Sequence, residues 1–220
     1  MEEFAEARED MLRTIEAKGF TDADVLAAMR RVPRQRFVDP DMRGYAHDDR
    51  PLPIGAGQTI SQPYIVASMS SVAQAAPGKR ILEVGTGCGY QAAVLAELGA
   101  EVYTMEIIPA LAERARALLE GLGYGSVRVS CGDAYGGWPE AAPFDAIVVT
   151  AAPRHVPPPL LEQLSDGGRL IIPVGDVEVG QDLEVYTRRG DRFDGERLFA
   201  VRFVPMTGEA QEPALPEQHH

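Results

Sequence analysis

The sequence has no asparagine and only two lysines, Lys18 and Lys79, among 21 basic residues. Alanine, arginine, glycine and proline are correspondingly plentiful, which reads as a genome-composition effect; a shortage of thermolabile amides would equally suit a hot environment. Cysteine is nearly absent. Cys88 and Cys131 stand alone, with no C-x-x-C spacing and no neighbouring histidine pair, so neither a structural zinc site nor a disulfide framework is expected. Both read as buried or half-buried thiols. No apolar run approaches the ~20 residues needed to span a bilayer. The start, Met1-Glu2-Glu3-Phe4-Ala5-Glu6, is acidic and lacks the apolar stretch of a secretory signal, so a cytoplasmic protein with no membrane partner is expected. Positive charge is also short. The net charge is −12 and no Lys/Arg cluster outweighs the acidic excess, which argues against a nucleic-acid partner.

What is present suits one globular domain: 220 residues, 45% apolar and 25% charged. Apolar residues at helical spacing predict helices over 2–18, ended by Gly19, and over 21–32, opened by a capping segment Thr21-Asp22-Ala23-Asp24 and closed before Pro33. Phe37 to Pro63 reads as loop, and Gln62 to about Ala75 as helix. From Arg80 strands and helices alternate. Strands are expected at 80–84, 101–105, 127–130, 144–149 and 169–174, with helices at 90–98, 109–122 and 156–164 between them. The segments 182–189 and 197–204, joined through Gly190-Asp191-Arg192 and Gly195, read as an antiparallel edge. The pattern predicts an α/β fold: a doubly wound, Rossmann-like, mostly parallel seven-stranded sheet with an antiparallel edge, plus N-terminal helices. Ligands of such sheets bind at the carboxyl ends of the strands.

Three strand ends carry residues suited to one ligand. After the first strand, Glu83-Val84-Gly85-Thr86-Gly87-Cys88-Gly89 opens a helix, and its glycines allow a sharp turn and close backbone approach. The spacing departs from G-x-G-x-x-G and resembles the E/D-x-G-x-G-x-G signature of S-adenosylmethionine-dependent methyltransferases. Glu106 closes the second strand, where a carboxylate can accept both hydroxyls of an adenosine ribose. Gly132-Asp133-Ala134-Tyr135 ends the third, where the Asp can meet an adenine amine or simply close an Asx-turn. Upstream, Leu52–Pro63 combines glycines, prolines and hydroxyls in a shaped loop. His47 and His155 read as surface loop residues, and Trp138 as a packing anchor.

These segments together resemble the protein-L-isoaspartate (D-aspartate) O-methyltransferase family. The matching runs are LPIGAGQTISQPY (52–64), ILEVGTGCGYQAA (81–93), GDAYGGWP (132–139), PFDAIVVTAAP (143–153), GGRLIIPVG (167–175) and RFVPMT (202–207), nearly the whole chain to about Gly208. Two positions depart: Cys88 where the family commonly has Ser, and Ala134 where it commonly has Gly. The resemblance implies transfer of a methyl group from S-adenosyl-L-methionine, released as S-adenosyl-L-homocysteine, to the free α-carboxylate of L-isoaspartyl residues in damaged proteins and peptides. The ester then recloses to a succinimide, and hydrolysis returns some aspartate. It implies Ser61 as the active-site residue, orienting the substrate carboxylate, and a cofactor site of Gln58, Thr59, Ile60, Ser61, Glu83, Gly85, Thr86, Gly87, Cys88, Gly89, Glu106, Ile107, Asp133, Ala134 and Thr207. The substrate peptide would meet Ser61 and the backbone of Val201–Pro205, chiefly Phe203 and Val204. A carboxylate with a pKa of ~3.5–4 is already ionised at neutral pH, so neither a general base nor a metal is expected. Ser61 has a plainer reading as N-cap of the following helix.

The implied organisation is a single domain: N-terminal helices and the active-site loop (1–79) packed on a cofactor-binding core with edge strands (80–208), then a flexible tail (209–220). A monomer is expected, with isoaspartyl proteins and peptides as partners. Three rival readings stand beside this one. An NAD-dependent oxidoreductase would leave TISQP and Asp133 unexplained, and stabilisation by S-adenosylhomocysteine but not NAD would separate the two. The others are a methyltransferase of another small carboxylate, and a non-catalytic binding relative, against which the intact TISQP argues.

Overall fold

The computed structural model describes residues 2–211. The Pro213–His220 segment, which composition predicts to fray, lies outside the described residues. Helix α1 (Ala5–Ala17) extends a short 3-10 turn and buries Met11, Leu12 and Ile15. Helix α2 (Ala23–Arg31) starts at Asp22, whose side chain accepts the Val25 N–H at 3.2 Å. The stretch read as loop contains a 3-10 turn (Pro40–Tyr45) and a small antiparallel hairpin, β1 (Leu52–Gly55) and β2 (Gln58–Ile60), before helix α3 (Pro63–Val72). The hairpin corrects the loop expectation. Its turn, Gly55-Ala56-Gly57, holds three successive positive φ values of 90°, 52° and 71°.

The alternating part follows: β3 (Arg80–Val84), α4 (Tyr90–Glu97), β4 (Glu101–Glu106), α5 (Pro109–Gly121), β5 (Arg128–Cys131), β6 (Phe144–Val149), α6 (Pro158–Glu162), β7 (Leu164–Asp176), β8 (Gly180–Arg189) and β9 (Arg192–Val201). The seven strands lie in the order β5-β4-β3-β6-β7-β8-β9. Pairing is parallel from β5 to β7 and antiparallel for β7–β8 and β8–β9, so the predicted mixed sheet is the observed one. The chain leaves β3 towards β4 on one side and later returns to place β6 on the other. That reversal opens a crevice beyond the carboxyl ends of β3 and β6.

Successive strand residues face opposite layers. Ile81, Val102, Ala146, Val148 and Ile171 join α1–α4 in one apolar cluster. Leu82, Tyr103, Ile147, Leu170 and Ile172 join α6 and the 134–144 and 206–210 segments in the other. Trp138 sits in this second layer, edge-on to Tyr103 at 5.3 Å, a packing position as the sequence suggests. The chain closes with a 3-10 turn at Gly208–Gln211, in which Ala210 is buried and the Glu209 N–H meets Asp133 Oδ2 at 2.9 Å. The described structure thus ends within residues 209–220, the segment expected to form a tail.

Two solvent expectations fail. His47 is buried, with no partner for Nε2 among the described residues, and burial pulls its pKa down to about 4. Cys131, at the end of β5, is exposed; Cys88 is buried, which pushes its thiol up to about 11.

Candidate active site

The hairpin places Ser61. Leu52, Ile54 and Ile60 face the core, while Thr59 faces out. From α5, Arg114 Nη2 donates to the Ile54 carbonyl at 2.5 Å, and a Cβ on Gly87 would sit 3.3 Å from Ile54 Cδ1. The hairpin thus rests on the glycine turn. Ser61 follows β2, half-buried, just before α3. It does not cap that helix: Gln62 is at the cap position and makes no side-chain cap bond. Asp49 does the capping instead. Its Oδ1 accepts the Tyr64 N–H at 2.9 Å, while Oδ2 accepts from Gln62 Nε2 at 2.8 Å and from Lys18. The Ser61 hydroxyl has no hydrogen-bond partner among the described residues, and its carbonyl accepts from Arg34 Nη2 at 2.7 Å.

The glycine turn is tightly confined. Gly85 has φ +97°, and a Cβ there would lie 2.4 Å from Thr150 Oγ1, so only glycine fits. Thr150, at the end of β6, donates that hydroxyl towards the Val84 and Gly85 carbonyls at 3.0 and 2.6 Å. Gly89, φ +90°, packs against Leu119 of α5 and does not line the cavity. Glu83 is fully buried. Thr104 donates to its Oε2, Thr86 and Thr104 hydroxyls are 2.6 Å apart, and Oε1 has no partner among the described residues. Burial pushes the Glu83 carboxyl up to about 8, against the Thr104 bond and with help from the charge of Glu106. Glu106 spends one lone pair on each oxygen: Oε2 takes the Gly87 N–H at 2.7 Å and Oε1 the Ile108 N–H at 3.0 Å. A carboxylate offers about four lone-pair sites, so a diol can still be accepted. Asp133 closes the Asx-turn foreseen for it, with the Tyr135 N–H on Oδ1 at 2.9 Å.

One cavity gathers Gln58, Thr59, Ile60, Ser61, Glu83, Gly85, Thr86, Gly87, Cys88, Glu106, Ile107, Asp133, Ala134 and Thr207; of the expected cofactor set only Gly89 stands outside it. Tyr90, Gln91 and Thr150 also line it. A second, outer groove is lined by Pro51, Ile65, Val177, Arg202 and Phe203 among others. Thr59, Ser61, Thr150, Val204 and Pro205 border both spaces. The 201–205 segment is held from within. The Gln181 side chain accepts the Phe203 N–H at 2.6 Å and donates to the Phe203 carbonyl at 3.2 Å. The Val204 carbonyl takes the Ala152 N–H at 2.8 Å. Of the Val201–Pro205 backbone expected to serve a substrate peptide, the N–H and carbonyl of Phe203 are therefore already paired. Gln181 carries no motif signal, and Thr150, although inside the 143–153 run, has no role assigned by it; their tertiary contacts reveal both.

The protein-family model described as "Protein-L-isoaspartate(D-aspartate) O-methyltransferase (PCMT)" matches residues 6–211. The chain belongs to this family. A protein-L-isoaspartate O-methyltransferase of Gloeobacter violaceus is 57% identical over 202 residues, 92% of this chain and 96% of that one. One of Opitutus terrae is 56% identical over 193 residues, 88% of this chain and 83% of its own. Among solved structures, a protein-L-isoaspartate O-methyltransferase aligns with a TM-score of 0.83 at 30% identity, over 91% of this chain and 66% of that chain. A putative member of the family from Plasmodium falciparum, in complex with S-adenosyl-L-homocysteine, aligns with a TM-score of 0.79 at 26% identity, over 91% and 98%. Family membership accounts for the pairing of a methyltransferase-type glycine turn with the TISQP loop. No helix among the described residues is long and apolar enough to cross a membrane, and these residues hold no cluster of three His, Cys, Asp or Glu able to bind a metal.

Proposed function

We propose that this chain methylates the free α-carboxylate of L-isoaspartyl residues in damaged proteins and peptides, with Ser61 aiming that carboxylate. The observation that carries the reading is the place of Ser61: it borders both the inner cavity and the outer groove, and its hydroxyl is free of helix-capping work. When bound, S-adenosyl-L-methionine supplies an electrophilic sulfonium methyl and leaves as S-adenosyl-L-homocysteine.

The inner cavity fits that molecule at three points. Glu83 has an unpartnered buried oxygen for the ammonium of the amino-acid end, Glu106 retains lone pairs for a ribose diol, and Asp133 with Ala134 would meet the base end. Gly85 lets the backbone lie flat against the ligand. In the outer groove the Ser61 hydroxyl donates to one oxygen of the substrate carboxylate and sets its approach. The carboxylate is ionised at neutral pH and needs no base to activate it. The contribution of the protein is orientation and exclusion of water. With Phe203 paired to Gln181, the peptide is met by Arg202 and Val204 of the same segment, and main-chain contacts there would tolerate many flanking sequences.

Ser61→Ala tests the role. Turnover on an isoaspartyl peptide should fall on the order of 10- to 100-fold from lost alignment. S-adenosylhomocysteine affinity should stay near wild type. Unchanged turnover would remove Ser61 from the mechanism.

A further inference from the structure

We infer that Arg34 is a positioning residue for methyl transfer, acting through Ser61; the inference rests on the role assigned to Ser61 above. Arg34 lies in the 3-10 turn Arg34–Arg36 and is 0% exposed. One edge of its guanidinium bridges two carbonyls: Nε donates to Ala46 at 2.7 Å and Nη2 to Ser61 at 2.7 Å. The plane lies 4.6 Å from the ring centroid of Tyr90, which lines the inner cavity and is itself held edge-on by Phe37 at 5.4 Å. Arg34 lines neither the cavity nor the groove.

The arrangement is costly, which makes its presence informative. Burying an unpaired cation is penalised by several kcal/mol. Among the described residues no carboxylate forms an ion pair with Arg34; burial lowers its pKa, outweighing the Tyr90 hydroxyl and the charge of Asp49, which favour its cation. Joining two carbonyls merely for stability needs no charge. A rigid planar fork, however, fixes the spacing of two acceptors in a way a flexible ammonium does not. Here one acceptor belongs to the 40–50 segment and the other to the active-site serine. On the far side Asp49, from that same segment, fixes Tyr64 and Gln62. Arg34 thus holds the Ser61 carbonyl while Asp49 holds the residues that follow it, so the backbone that carries the Ser61 hydroxyl is tied to the 40–50 segment on either side of the Ser61–Gln62 bond.

A double-mutant cycle tests this. Arg34→Met should lower kcat on an isoaspartyl peptide by on the order of 10-fold or more, as expected for a misplaced orienting group. S-adenosylhomocysteine affinity should change little. The same substitution in a Ser61→Ala background should lower kcat by less than about twofold, because groups acting as a unit are not additive. Arg34→Lys, which retains charge but not the fork, should show a smaller loss that likewise vanishes without the Ser61 hydroxyl; it carries the test if Arg34→Met does not fold. An Arg34 effect equally large in both backgrounds, or no effect of either variant on kcat, overturns the inference while the role of Ser61 stands. Wild-type turnover by Ser61→Ala alone overturns both.

Discussion

At the scale of single residues, Glu83 makes the sharpest prediction. Its carboxyl is raised from 4.5 to about 8 by burial, so in the free protein at about pH 7 it is mostly protonated. A cation placed beside Oε1 favours the ionised form. Binding of S-adenosylhomocysteine, whose zwitterionic amino-acid end would bring its ammonium beside Oε1, should therefore release close to one proton near neutral pH, and affinity should rise as pH climbs towards about 8. Calorimetry in buffers of different ionisation enthalpy reads the proton count directly; Glu83→Gln should abolish the release, and wild-type binding without release contradicts the assignment. The same linkage has a sign for folding. The raised carboxyl favours the free folded protein below pH 4.5, and that contribution is lost as pH rises through about 8. Gly85 gives a second test. Alanine there meets Thr150 Oγ1 at 2.4 Å and must hold φ +97°, so Gly85→Ala should cost ~1–3 kcal/mol and weaken cofactor binding, read by melting with and without S-adenosylhomocysteine. Glu83, Gly85 and Glu106 stood out in the sequence because they sit at strand ends, within β3, after β3 and closing β4, and they line the inner cavity. Arg34, Thr150 and Gln181 did not stand out, because each acts on backbone distant along the chain.

At the scale of elements, short pieces misled the sequence reading for physical reasons. The hairpin strands have four and three residues, too few for alternation to stand out, and Pro53 sits inside one of them. Asp166-Gly167-Gly168 looks like a turn but is an irregularity within β7. Its pairing with β6 shifts between Phe144 and Ala146, and Gly168 leaves no room for a Cβ beside the Ser165 and Phe144 carbonyls. Gly195 looks like a joint and instead lies in β9 beneath the Tyr186 ring, where a Cβ would meet Cε1 at 2.9 Å. The buried strands β3, β4 and β6 were read to within a residue, since each apolar run lies between glycine or proline breaks: Gly78 and Gly85, Gly99 and Pro109, Pro143 and Pro153. The element-scale prediction concerns α3. Asp49 supplies its cap from outside, so Asp49→Ala should cost about 1–2 kcal/mol in denaturant unfolding. Turnover should fall further than stability alone explains, because Gln62 adjoins Ser61; a purely thermal defect with full activity at low temperature would separate the cap from the site.

At the scale of the whole molecule, the N-terminal helices and the sheet share one apolar cluster: Met11, Met29 and Met69 pack with Ile81, Val148 and Ile171. Residues 1–79 should therefore unfold with the core, in one transition by circular dichroism and by tryptophan fluorescence from Trp138; separate transitions would contradict a single domain. That joint packing also brings the two parts of the candidate site together. The hairpin from the helical layer and the glycine turn from the sheet meet at Ile54 and Gly87, and the two spaces meet at Ser61. The most direct test of the account is methyl transfer from labelled S-adenosyl-L-methionine to an isoaspartyl peptide and to its aspartyl twin of identical sequence. The account predicts label on the isoaspartyl peptide alone, lost again as the ester closes to the succinimide. Equal labelling of both peptides, or of neither, would contradict it.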